Sequence, residues 1–163
     1  MRKHLLVASL AIAAFALVPS TAAAQVGGFV MGGFQIDSPE GDGAIRRLWF
    51  GGGVDAPLAD VIRVGGEVKF NHQTFDDFDE SGNYLAFFGN VIVTPGSDSS
   101  VSPFLGGGVG LVHASAAGES SNDVGAHFFG GIKFGEGGSF FVQGELLTDF
   151  DASALVVGAG VRF

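Results

Sequence analysis

Two short stretches hold the residue types from which a reactive or metal site is built. In "HAS", His113 and Ser115 stand two apart, which on an extended chain puts both on one face. An imidazole beside a hydroxyl can draw off its proton and leave a nucleophile, provided a third group orients the imidazole. Glu119, in the stretch that follows, is the candidate for that third role. In "DFDESGN", Asp77, Asp79, Ser81 and Gly82 echo the first half of a calcium loop. There alternate oxygens wrap a hard cation and glycine permits the turn. The position where a bidentate glutamate should close that loop is Phe88. The bland readings are therefore preferred: a rim histidine beside a loop serine, and a solvated acidic loop. His72, His113 and His127 show no zinc-like spacing. The glycine runs open no helix, so they cradle no phosphate. We expect no catalytic, cofactor-binding or metal-ligating residue.

The elements that would position such groups begin after an export signal. "MRKHLLVASLAIAAFALVPSTAAAQ" has a basic start at Arg2 and Lys3, an apolar run from Leu5 to Val18, and small residues at Ala22 and Ala24. The run is shorter than the roughly 20 residues of a spanning helix, and the small-x-small pattern fits signal-peptidase cleavage. We expect a signal peptide over 1–24 and one domain over 25–163. An exported chain with 0 cysteines has no disulfide framework. A net charge of −9 argues against nucleic acid. Yet the chain is 47% hydrophobic, with 17 Phe and 28 Gly, so it is too apolar to be disordered. Beyond the signal, no apolar run is long enough for a spanning helix.

Periodicity reconciles these facts. Ile62, Val64, Gly66, Val68 and Phe70 share one parity, and Arg63, Gly65, Glu67 and Lys69 the other, which marks a strand with unlike faces. The pattern recurs along the chain and predicts eight strands, at about 25–36, 46–56, 61–70, 84–94, 101–113, 124–134, 139–147 and 154–163. Their connections alternate. "DSPEGDGAI", "NHQTFDDFDESGN", "ASAAGESSND" and "TDFDAS" are long, whereas "PLAD", "PGSDSS" and "GEGG" are turn-like. Strands near ten residues with long loops on one side and short turns on the other predict an all-β, eight-stranded antiparallel up-and-down transmembrane barrel.

A barrel of that size has an interior that side chains can fill. The inward parity carries Arg47, Arg63, Glu67, Lys69, Lys133, Glu145 and Arg162, and buried charges of both signs should pair into a network. Aromatic girdles are expected at Trp49, Phe50, Phe70 and Tyr84 on the loop side, and at Phe134, Phe140 and Phe163 on the turn side. Eleven acids (Asp37, Glu40, Asp42, Asp76, Asp77, Asp79, Glu80, Glu119, Asp123, Asp149, Asp151) fall in the outer loops, where divalent ions are expected to collect loosely.

The signal, the glycine-rich strands "FGGGVDAPL" and "PFLGGGVGLV", and the ending "VVGAGVRF" resemble the small eight-stranded outer-membrane β-barrels of Gram-negative bacteria, the OmpA-transmembrane-domain and OmpX-like group. The resemblance covers 25–163. It implies an outer-membrane location, contact with lipid and lipopolysaccharide, and a final aromatic, here Phe163, read by the barrel-assembly machinery. Val156 stands where that group more often has a polar residue. No peptidoglycan-binding domain follows the strands, so wall anchoring is not implied. Outer-membrane lipid A deacylases are similar in carrying His-x-Ser on the outer wall; here Ala116 replaces their following Asn. The expected function is a non-enzymatic structural or surface-interaction barrel with a plugged lumen. Two alternatives stand beside it: a lipid A-modifying hydrolase using His113 and Ser115, and a soluble lipocalin-like barrel whose apolar face points inward.

Overall fold

The computed structural model describes residues 26–36, 48–75, 80–95, 100–116, 118–135, 139–148 and 153–163. The leader, Arg47 and most of the outer-loop acids, Asp77 and Asp79 among them, lie outside these residues. Eight strands run in order: β1 (Gly27–Ile36), β2 (Leu48–Ala59), β3 (Ile62–Phe75), β4 (Glu80–Val93), β5 (Val101–Ala116), β6 (Glu119–Phe134), β7 (Phe140–Thr148) and β8 (Ser153–Arg162). Each pairs antiparallel with the next, and β8 returns to β1 to close a barrel. Closure leaves the barrel wall no free edge, as a membrane wall of strands requires.

The strand count agrees with the periodicity, but two connections differ. The second and third outer loops are largely strand. His72–Phe75 pair with Glu80–Asn83, and Ala114–Ala116 with Glu119–Ser121. These residues lack apolar alternation because a ribbon standing in water has no face to bury, while its backbone still pairs. Gly118, at φ +81°, turns the third hairpin in a conformation that favours glycine. On the turn side, β2 runs on through Pro57, where a register shift between Pro57 and Ala59 accommodates a residue with no N–H to give the ladder.

The two faces of the wall are sharply unlike. Phe34, Phe50, Phe87, Leu105, Val109, Phe128 and Val142 point outward and are exposed. Glu67, Lys69, His127 and Glu145 point inward and are buried. A belt of exposed large apolar side chains around the whole wall suits hydrocarbon and not water. The lipocalin-like alternative required the reverse, and this inside-out arrangement excludes it.

Inside, two apolar layers sandwich a polar one. Trp49, Ala86, Phe88, Val112, Leu147 and Val156 pack toward the loop end, and Met31, Ile92, Phe104, Phe129 and Phe141 toward the turn end. Glycine makes room for the rings. A Cβ on Gly106 would stand 2.4 Å from Phe129, and one on Gly160 would stand 2.4 Å from Phe141. The expected loop-side girdle needs correction. Trp49 is 4% exposed and packs edge-on to Tyr84 inside the lumen, and its indole N–H donates to Gln35 Oε1 at 3.3 Å. Strict alternation cannot place Trp49 and Phe50 on one face, and the indole takes the side where its N–H finds an acceptor. Phe50 and Phe70 remain outside, as do Phe134, Phe140 and Phe163.

Candidate functional site

The polar layer is a closed ring of five side chains. Lys69 Nζ pairs with Glu145 Oε2. Glu145 Oε1 meets His127 Nδ1 at 2.5 Å, and His127 Nε2 meets Asn90 Oδ1 at 2.7 Å. Asn90 Nδ2 donates to Glu67 Oε2 at 3.0 Å, and Glu67 Oε1 returns to Lys69 Nζ at 3.2 Å. That last contact is an ion pair without hydrogen-bond alignment, so Glu67 Oε1 counts as unsatisfied. Gln143 Nε2 adds a donor to Glu145 Oε2 at 3.2 Å. Four strands position the ring: β3 with Glu67 and Lys69, β4 with Asn90, β6 with His127, and β7 with Gln143 and Glu145.

The ring has one consistent set of proton positions. A carboxylate accepts only, so Asn90 must turn its NH₂ to Glu67 and its oxygen to His127. Both nitrogens of His127 then face oxygens, Glu145 Oε1 and Asn90 Oδ1. Two carboxylates thus share the ring with Lys69 and the imidazole. Phe88 stacks on that ring at 4.2 Å between centroids and walls it from the loop end.

A second cluster lies nearer the turn end. Asp55 Oδ1 receives both Arg63 Nε and Arg162 Nη2. Lys133 Nζ donates to Thr94 Oγ1 at 2.9 Å and sits 5.1 Å from the Phe104 ring centroid. A small cavity of about 30 Å³ separates this cluster from the ring, room for a water or two. Arg63, Glu67, Lys69, Lys133, Glu145 and Arg162 all stand where parity placed them. Sequence reasoning missed His127 and Asn90 as members of the ring. The available signal was that both share the inward parity with Glu67 and Glu145.

The reactive-pair candidate does not assemble. His113 and Ser115 do share the outward face, but His113 Nδ1 donates to Asn122 Oδ1 at 3.0 Å. Glu119 pairs with Ala116, one residue out of step with His113 and Ser115, and so belongs to the opposite face of the ribbon. The group that orients the imidazole is therefore a neutral amide, which cannot stabilise an imidazolium by charge. Ser81 and Gly82 of the calcium-like stretch stand in β4, while Asp77 and Asp79 lie outside the described residues. Among the described residues no cluster of three His, Asp or Glu is arranged to hold a metal ion.

No family model matches the sequence, and neither does any curated protein. Solved structures do match. Neisserial surface protein A aligns over 84% of this chain and 94% of its own, with TM-score 0.63 and 13% identity. The N-terminal β-barrel domain of Pseudomonas aeruginosa OprF aligns over 85% and 96%, with TM-score 0.56 and 14% identity. The Yersinia pestis outer membrane protein Ail aligns over 84% and 99%, with TM-score 0.53 and 17% identity. This is the fold of the small outer-membrane β-barrels. The apolar belt gives that fold its membrane, and the barrel spans the outer membrane with its long hairpins on one side and its short turns on the other.

Proposed function

We propose that this outer-membrane barrel is a non-enzymatic surface-interaction protein whose lumen is closed. Four strands carry the reading. β3 to β6 continue past the level at which β7 pairs, since the β6–β7 ladder starts only at Ala126 and Thr148. Glu119–Gly125 of β6 therefore has no partner on its β7 side among the described residues. Such an edge offers a row of N–H and C=O groups to a strand from outside, with alternate side chains left to set specificity. Selection of displayed peptides on the barrel in nanodiscs tests this. Binders should protect amides within 119–125 from hydrogen exchange. Deleting 114–121 should lower their capture roughly tenfold while the barrel stays closed, checked by a gel mobility that changes only when the sample is boiled. Peptides that bind the deletion variant equally well would refute the edge.

A closed lumen fits the buried ring and the two apolar layers that sandwich it, and no ion current is part of this reading. The same reading gives β8 a role in assembly. Phe163, 78% exposed, exchanges backbone hydrogen bonds of 2.8 and 2.9 Å with Gly28 and covers that glycine with its ring. We take this closing pair to be what the assembly machinery delivers. A deacylase role is disfavoured by the amide behind His113. Ser115→Ala is accordingly expected to leave the acylation of lipid A unchanged by mass spectrometry, and a change in acyl number would restore the hydrolase.

A further inference from the structure

Two lumen carboxylates each keep one oxygen without a hydrogen-bond donor among the described residues, and both acids line the same cavity. Asp55 Oδ2 and Glu67 Oε1 accept no hydrogen bond, on side chains only 1% and 4% exposed. Both residues wall the cavity between the ring and the turn-end cluster. Across the β2–β3 ladder Asp55 lies opposite Gly65, and Glu67 opposite Gly53. The acids are therefore diagonal neighbours on the inward face, and each has a glycine beside it in place of a side chain.

The donors around them are already committed. Arg63 Nε and Arg162 Nη2 both go to Asp55 Oδ1, and Asn90 Nδ2 goes to Glu67 Oε2. Lys69 Nζ is aligned on Glu145, and Gln143 Nε2 also donates to Glu145. A buried carboxylate oxygen left in this way is costly. The charges around the cavity then select what can fill it. An anion would meet the two orphaned oxygens. A cation would stand among Lys69, Lys133 and Arg162. A neutral molecule with two donors and an acceptor suits every wall, and a volume of about 30 Å³ limits it to the size of water. Its acceptor has a donor to meet. Lys133 lines the cavity, and of the three N–H groups on an ammonium Thr94 takes one.

We propose that this cavity is a water site, whose occupant donates to Asp55 Oδ2 and Glu67 Oε1 and accepts from Lys133 Nζ. The water joins the turn-end cluster to the ring, so one polar column runs from Arg63 and Arg162 to His127. The side chains of Arg63 and Arg162 are 22% and 15% exposed and bring the column to solvent at the turn end. Phe88, stacked on His127, stops it at the other. The lumen is closed to passage and yet hydrated from one side.

The test is a crystal structure of the full-length barrel at a resolution that shows solvent, with crystals grown with and without a thallous salt. Density should stand within hydrogen-bond reach of both Asp55 Oδ2 and Glu67 Oε1, with no thallium anomalous peak there. Nuclear Overhauser transfer from water to methyl groups, in nanodiscs of perdeuterated lipid, gives a second measurement. Ile92, which lines the cavity, should receive it, whereas Val112 and Leu147 in the loop-end layer should not. Glu67→Leu, checked for closure by its heat-dependent gel shift, removes one acceptor and should abolish the transfer to Ile92. A cavity without density, a thallium peak between the two acids, or undiminished transfer to Ile92 in the closed variant would overturn the proposal. Equal transfer to Val112 and Leu147 would overturn the one-sided hydration.

Discussion

Replacing Glu145 by leucine is expected to destabilise the barrel by about 3–5 kcal/mol, the scale of leaving buried charges without their partner. The residue is 1% exposed and accepts from Lys69, His127 and Gln143 together. Leucine keeps most of the volume and removes every acceptor. Lys69 then retains only the unaligned contact with Glu67, and the Nδ1–H of His127 faces hydrocarbon. The expected reading is a large fall in the urea midpoint for unfolding from phospholipid vesicles. Adding Lys69→Met should recover part of the loss, because it removes the ammonium that Glu145 had paired while Asn90 still donates to Glu67. A buried ion pair exchanged whole for apolar groups is often neutral in stability, whereas a broken one is not. If the single variant unfolds at the same urea concentration as the parent, the ring does not hold the lumen together. If the double variant is no better than the single, the damage is steric and not electrostatic.

The wall of this barrel was legible because its rule is local. Each strand states its own parity, so Val68 and Phe70 against Lys69 and Glu67 needed no knowledge of the neighbours. The same rule also put six of the lumen charges inside. It did not show which of them meet, because that depends on stagger between strands. Glu145 reaches Lys69 across the lumen from 76 residues away, and no pattern within β3 or β7 encodes that distance. His127 looked like a lone histidine for this reason. The hairpin ends were misread from the opposite cause. Outside the membrane the ladder persists without an alternating face, so Ala114–Ala116 and Glu119–Ser121 carried loop composition and strand pairing at once. Trp49 was misplaced by giving its residue type precedence over its parity. The girdle preference of tryptophan is a tendency, whereas alternation along a strand is geometry.

Gly108→Ala should be among the most damaging single-methyl additions in the molecule, and Gly144→Ala among the least. A Cβ at Gly108 would stand 2.2 Å from Asn90 Oδ1, 2.5 Å from the Gly89 carbonyl oxygen and 2.8 Å from His127 Nε2. One of those neighbours is backbone and cannot swing aside. The other two are the partners of one hydrogen bond in the ring. Relief of the contact must therefore either spread β4 from β5 or break the bond between Asn90 and His127. If Asn90 moves, Glu67 loses its amide donor as well, and the disturbance passes to Lys69. Overpacking of this kind costs about 1–3 kcal/mol, and occasionally more; coupling through the ring puts this case at the upper end. At Gly144 a Cβ would meet nothing within 4 Å, and the change should stay within about 0.5 kcal/mol. Urea midpoints in the same vesicles compare the two directly, and the His127 ring resonances by NMR report whether the bond to Asn90 survives. Equal midpoints for the two variants would mean that the lumen yields to a methyl group at no cost. A ring held by five mutually fixed side chains cannot yield in that way, so such a result would also count against the Glu145 expectation.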